Sequence, residues 1–142
     1  MSLYIDTSAL LKVFFIEPES DRAVSLVSGE AEVTVSSLAH LEALVQVKRR
    51  VASGLIKTKT ADKLMLQIEA RLRLAPFHLR KCPGDLIEIA GKQAASSTAY
   101  CSTLDRLHLA AMQLFGLRRL LTNDDTQAAA ARALGYEVLL PR

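Results

Sequence analysis

A chain of 142 residues is long enough to bury a substantial core as one domain without disulfide staples. Half of its residues are hydrophobic, which excludes a disordered chain; aromatics are few and Trp is absent, so the core has to come from Leu, Val, Ile and Ala. The formal charge of +3 is too small to mark a nucleic-acid binder by itself, and gains meaning only if the acids gather in one place.

Leu3–Ile5 reads as a strand, and the pattern from about Ser8 to Phe15 reads as a helix stopped before Pro18. A second helix covers about Glu19 to Val27 and ends at Gly29; Glu32–Val35 is the second strand. In SSLAHLEALVQVKRRVASG, Ser36 or Ser37 offers a cap, and Leu38, Leu41, Val45 and Ala52 recur at helical spacing before Gly54. Thr60–Leu74 forms another amphipathic helix ahead of Pro76, with a short strand at Phe77–Leu79. Helices over Asp85–Ala95 and Leu104–Phe115 flank a polar break at Ser96–Thr98. Leu117–Thr122 reads as strand, Thr126–Leu134 as an Ala-rich helix stopped by Gly135, and Glu137–Leu140 as the final strand. Strands interleaved with helices imply an α/β fold around a mostly parallel sheet, with residues 1–142 as a single domain.

Cys82 and Cys101 lack the CxxC spacing of a zinc or redox motif and make no disulfide framework. No apolar run approaches bilayer length, and the VFFI stretch follows Asp6 without a basic lead, unlike a signal peptide. A cytoplasmic protein with no membrane association is expected.

Parallel α/β sheets bind ligands beyond the carboxyl ends of their strands, where chain direction across the sheet reverses. Asp6 follows the first strand, and Asp124 follows Leu120–Thr122. Glu42 lies a turn into its helix, between Leu38 and Val45, and Asp105 begins LDRLHLAAM. Each also has a plain structural reading. Asp6, Asp105 and one of Asp124 and Asp125 are placed to cap helices, and Glu42 could be a solvated helix residue.

Three segments taken together resemble the PIN-domain proteins, and among these the toxin nucleases of VapBC-type toxin–antitoxin pairs. They are LYIDTSALLK at the start, LDRLHLAAM late in the chain and RLLTNDDTQAAAARALGYEVLLP at the end. The resemblance implies a three-layer α/β/α sandwich in which the first and fourth strands are neighbours. It also implies a metal-binding and catalytic quartet of Asp6, Glu42, Asp105 and Asp124, with Ser8 and Thr122 as supporting hydroxyls. The Thr-x-Asp spacing favours Asp124 as the ligand and leaves Asp125 as the helix cap.

Four carboxylates crowded together repel one another strongly, by roughly 4 kcal/mol for a pair about 4 Å apart at an effective dielectric near 20. A cation relieves this, and oxygen-only ligands suit Mg2+, with Mn2+ as a substitute. The resemblance implies metal-dependent endoribonuclease activity, as the toxin of a toxin–antitoxin pair. By resemblance, its partners are an RNA substrate, a small antitoxin and a second copy in a homodimer; the paired amphipathic helices of residues 38–74 are where a second copy or the antitoxin is expected to dock. His108, one turn after Asp105, could orient a carboxylate, touch substrate or pack between helices, and is not counted as catalytic. Some of Lys48, Arg49, Arg50, Lys57, Lys59, Lys63, Arg118 and Arg119 are expected to ring the site and attract a polyanion.

Other function classes stay open at this level. A non-toxin PIN nuclease of RNA processing fits the same motifs. A phosphotransfer enzyme using Asp6 as nucleophile would want a second Asp where Ser8 stands. A non-enzymatic RNA- or protein-binding domain would keep the acids as caps only.

Overall fold

The computed structural model describes residues 2–142. In chain order it contains β1 (Leu3–Ile5), α1 (Thr7–Phe14), α2 (Ser20–Ser28), β2 (Val33–Ser36), α3 (Ser37–Ala52), α4 (Thr58–Leu72), β3 (Phe77–Arg80), α5 (Leu86–Ser96), α6 (Thr103–Phe115), β4 (Arg119–Leu121), α7 (Asp125–Ala133) and β5 (Glu137–Leu139). The strands form one sheet in the order β3-β2-β1-β4-β5, and every neighbouring pair is parallel. The expected element order holds throughout; boundaries differ by a few residues at most, as helix ends and short strands commonly do.

The sheet grows outward from β1 in both directions, with β2 and β3 on one side and β4 and β5 on the other. Chain direction across the sheet therefore reverses between β1 and β4, whose registers pair Tyr4 with Leu120 and Ile5 with Leu121. Because successive strand residues face opposite sides, Leu3 and Ile5 pack with Leu10, Val27, Val47 and Ile68 beneath α1–α4. Tyr4 and Leu120 pack on the other face with Leu109, Met112 and Ala130 from α6 and α7. These two cores, one on each face, make the three-layer sandwich. Full burial of each large aliphatic side chain contributes about 1.5–3 kcal/mol.

One amphipathic reading needs correction. The buried residues of α3 are Ala39, Ala43 and Val47, whereas Leu41 and Val45 are 59% and 52% exposed. The small alanines let the α3 backbone approach the layer below closely, so the larger side chains turn outward. Glu42 consequently lies beside the buried seam made by its immediate neighbour Ala43, not on a leucine stripe. At the end of α6, Gly116 takes φ +71°; in this left-handed cap a side chain would be strained, and the turn returns the chain into β4.

Candidate active site

Asp6 follows the last residue of β1 and caps α1. Its Oδ1 accepts from Ala9 N at 3.1 Å and from Ser8 Oγ at 2.7 Å; its Oδ2 accepts from Thr122 Oγ1. The residue is only 3% exposed. Burial pushes its carboxyl above the ordinary range, and His108, Thr122 and Ser8 draw it only partly back. The capping role and the site position coincide in one side chain.

Thr122 and Ser8 also shape the loop after β4. Thr122 Oγ1 accepts from Asp124 N at 3.1 Å, and Ser8 Oγ accepts from Asn123 N at 2.9 Å. This loop sets Asp124, whose Oδ1 accepts from Gln127 N at 3.0 Å and caps α7. Asp125 is not the cap. It is the first residue of α7 and is exposed, with Oδ1 2.7 Å from Arg142 Nη1. The sequence contains two adjacent acids and the helix begins one residue earlier than its spacing suggests, so Asp124 both caps and faces the site.

Asp105 is likewise not a cap. Ser102 caps α6 by accepting from Asp105 N at 3.2 Å, which leaves the Asp105 carboxylate directed elsewhere. Burial raises that carboxyl, and the charges of Asp124 and Asp6 raise it further. The side-chain amide of Gln127 donates to the Asp105 backbone carbonyl at 3.3 Å, tying α7 to this turn of α6.

Glu42 is held from two sides. Thr7 Oγ1 donates to its Oε1 at 2.7 Å, and His108 Nε2 lies 2.7 Å from the same oxygen. A carboxylate accepts and does not donate, so the Nε2 hydrogen points at Glu42. Burial pushes the Glu42 carboxyl up, but His108 and Thr7 outweigh it and hold the group below its usual range. On the far side of the ring, His108 Nδ1 is 2.6 Å from the Tyr4 hydroxyl, which donates to Ser36 Oγ at 2.9 Å. Ser36 in turn caps α3, the helix that carries Glu42.

Asp6, Glu42, Asp105 and Asp124 all line one cavity of about 200 Å³, together with His108 and Gln46. Four elements thus deliver acids that lie up to 118 positions apart in sequence (6 to 124) to one crevice at the reversal point of the sheet. As placed, no group of three His, Cys, Asp or Glu side chains among the described residues forms a closed metal cage. Asp6 and Glu42 are instead turned to hydroxyl and imidazole donors. By chemistry the set fits a hard divalent cation: the donors are all carboxylate oxygens, and Asp105 carries a repulsion that a cation would relieve.

The expectation that some basic residues ring the site is met by no cavity-lining side chain. Arg50 pairs with Glu17 and lies over the Phe15 ring. Arg119 begins β4, at the end of the strand opposite the site, and pairs with Glu30. Sequence reasoning also passed over Thr7 and Tyr4. Thr7 stands beside Asp6 in the opening motif and is recognisable only once α3 is known to pack on α1. Tyr4 looks like any core aromatic until its hydroxyl is seen to meet His108.

Residues 3–133 match the PIN domain family. This chain is a PIN-domain protein. Over 152 aligned positions it is 32% identical to Ribonuclease VapC46 of Mycobacterium tuberculosis, covering 99% of this chain and 98% of that one. Among solved structures, the M. tuberculosis toxin VapC20, described as cleaving the sarcin–ricin loop, superposes with a TM-score of 0.71 at 18% identity, over 90% of this PIN chain and 94% of the other. DNA-bound VapBC from Salmonella typhimurium gives a TM-score of 0.70 at 12% identity, over 100% and 99% of the two chains. At those identities the two structures establish the PIN-type α/β fold.

Proposed function

We propose that this PIN-domain protein is a ribonuclease of the VapC type, the toxin of a toxin–antitoxin pair, hydrolysing RNA phosphodiester bonds with Mg2+ or Mn2+. The observation that carries this reading is the meeting of Asp6, Glu42, Asp105 and Asp124 at one cavity, in a chain 32% identical to a ribonuclease over nearly its full length. Residues 1–142 act as one domain. The carboxylates would hold the cation, which, when bound, activates water and offsets charge on the phosphate.

The chain's own contribution is orientation. Ser8 and Thr122 fix both oxygens of Asp6. Thr7 and His108 fix one oxygen of Glu42. Gln127 and Ser102 hold the backbone that presents Asp105. A phosphotransfer role for Asp6 is disfavoured because Ser8 stands where such an enzyme would want a second Asp.

An antitoxin partner is supported by a solved structural neighbour described as a toxin–antitoxin complex from Klebsiella pneumoniae. The outward Leu41, Val45 and Leu66 of α3 and α4, with Leu66 72% exposed, offer an apolar face for it or for a second copy in a homodimer. No helix among the described residues is long and apolar enough to cross a membrane, and we place the protein in the cytoplasm. The test is cleavage of an RNA panel with Mg2+, Mn2+ or EDTA by the wild type and Asp6→Ala. Cleavage that needs the cation and Asp6 is expected; cleavage that survives both chelation and the substitution overturns the mechanism.

A further inference from the structure

Apart from the carboxylate site, the structure holds a cavity of about 350 Å³ between α5 and α6. Its walls are mainly apolar, from Ile87, Ala90, Ala94 and Leu107, with Gly91 adding no side chain at all. Tyr100, 84% exposed, stands at the rim. Arg106 also lines it and is 6% exposed. One arm of its guanidinium, Nη2, donates to the Ala99 carbonyl at 3.1 Å; the other, Nη1, is buried without a hydrogen-bond partner. A buried, incompletely satisfied guanidinium is costly. The guanidinium also hydrogen-bonds the Cys101 thiol, a weak acceptor.

This cavity adjoins the acids. Arg106 directly follows Asp105, and Ser102, another wall residue, caps the turn that carries Asp105. We propose that the α5–α6 cavity is a base-specificity pocket, which receives the base of a nucleotide neighbouring the scissile phosphate and favours bases with an exocyclic carbonyl, guanine and uracil. The assignment rests on the ribonuclease reading above. The pocket's apolar walls suit a base removed from its stack, and the exposed Tyr100 ring gives a stacking surface. The donor-only guanidinium meets a carbonyl oxygen favourably and an amino group unfavourably, which separates guanine and uracil from adenine and cytosine. A base enters past residues 97–102, a stretch without helix or strand.

The test uses the whole protein in EDTA and short single-stranded RNAs, each with one base (A, C, G or U) in an otherwise abasic strand. Binding is read by fluorescence anisotropy. The wild type should bind the guanine and uracil strands at least about fivefold tighter than the adenine and cytosine strands. Gly91→Leu should erase that ratio. A Cβ at Gly91 meets nothing within 4 Å, so the leucine fills the cavity without a backbone clash and avoids the folding risk of replacing buried Arg106. Tyr100→Ala should weaken binding of all four base-bearing strands relative to a fully abasic one. Asp125→Ala, remote from the cavity, should keep the wild-type ratio.

A wild type indifferent to the base, or a ratio that survives Gly91→Leu, overturns the pocket. If such a protein still cleaves RNA in an Asp6-dependent way, the ribonuclease reading stands alone; if it cleaves no RNA, both fall. Should Gly91→Leu spare the base ratio yet break association with a protein partner, the cavity is a protein site and the proposal is wrong.

Discussion

His108 Nε2 lies 2.7 Å from Glu42 Oε1 and Nδ1 of the same ring lies 2.6 Å from the Tyr4 hydroxyl, so a core tyrosine of β1 holds a cavity-lining carboxylate of α3 through an imidazole of α6. Tyr4 is fully buried, and no water replaces a partner removed there. Tyr4→Phe keeps the ring in the core and leaves His108 Nδ1 without its hydroxyl. Stability should fall by about 1–3 kcal/mol, read as a lower urea midpoint with an unchanged slope. Divalent-cation affinity, measured by calorimetry, should fall with it. An unchanged midpoint would mean the chain of contacts contributes nothing.

Repulsion among the acids sets up a second expectation. Asp105 is raised by burial and by the charges of Asp124 and Asp6, so it opposes folding when no cation is present. Asp105→Asn should melt at the same or a higher temperature than wild type in EDTA, by up to about 2 kcal/mol in stability. It should also lose RNA cleavage. A markedly lower melting temperature in EDTA would show that the carboxylate is needed for packing instead.

Cation binding itself gives a third. Adding Mg2+ or Mn2+ should raise the wild-type melting temperature, since a ligand bound only by the native state stabilises it. Asp6→Asn should cancel that rise. Equal shifts in both proteins would place the bound ion elsewhere.

Asp124 and Asp125, adjacent in sequence, should behave differently. Asp124→Ala removes the α7 cap, at a cost of about 1 kcal/mol, and should also remove cleavage. Asp125→Ala breaks only an exposed pair with Arg142, worth about 0–1 kcal/mol, and should cleave RNA normally. Loss of activity in Asp125→Ala would reverse the assignment.

Away from the site, Glu17 joins the end of α1 to α3 through Lys12 at 3.0 Å and Arg50 at 2.6 Å. Burial raises its carboxyl, but Arg50 and Lys12 together outweigh that and hold it below its ordinary value of 4.5. A carboxyl lowered in the folded state adds stability above its unfolded pKa and loses it as pH falls through the folded one. Glu17→Gln should therefore be less stable than wild type near pH 7, and the gap should close below about pH 4.5. Urea midpoints at the two ends of that range decide it; a gap that does not depend on pH would remove the charge from the explanation.

Strand and helix order is legible because short β-branched runs such as VTV, helix stops such as Gly29 and Gly116, and prolines after Phe15 and Leu74 mark the elements locally. The pairing of β1 with β4 has no local mark, and comes only from the resemblance of whole motifs. The outward turn of Leu41 and Val45 is hidden because hydrophobicity weights leucine above alanine, whereas close helix packing selects the smaller residue. Cap positions fail for a related reason. At Asn123–Asp124–Asp125 the choice between neighbouring acids depends on where Thr122 and Ser8 hold the loop, and that depends on Asp6, far away in the chain.

The hydrogen bond from Thr122 to Asp6 joins residues 116 positions apart, and β1 lies between strands made early and strands made late. During synthesis, β1 with β2 and β3 can assemble while the chain is little more than half made, yet Asp6 then lacks the loop that orients it. The carboxylate cavity closes only after β4 and α7 have left the ribosome. Until then the four carboxylates share no common cavity, so whatever chemistry the site supports waits on the last part of the chain to emerge.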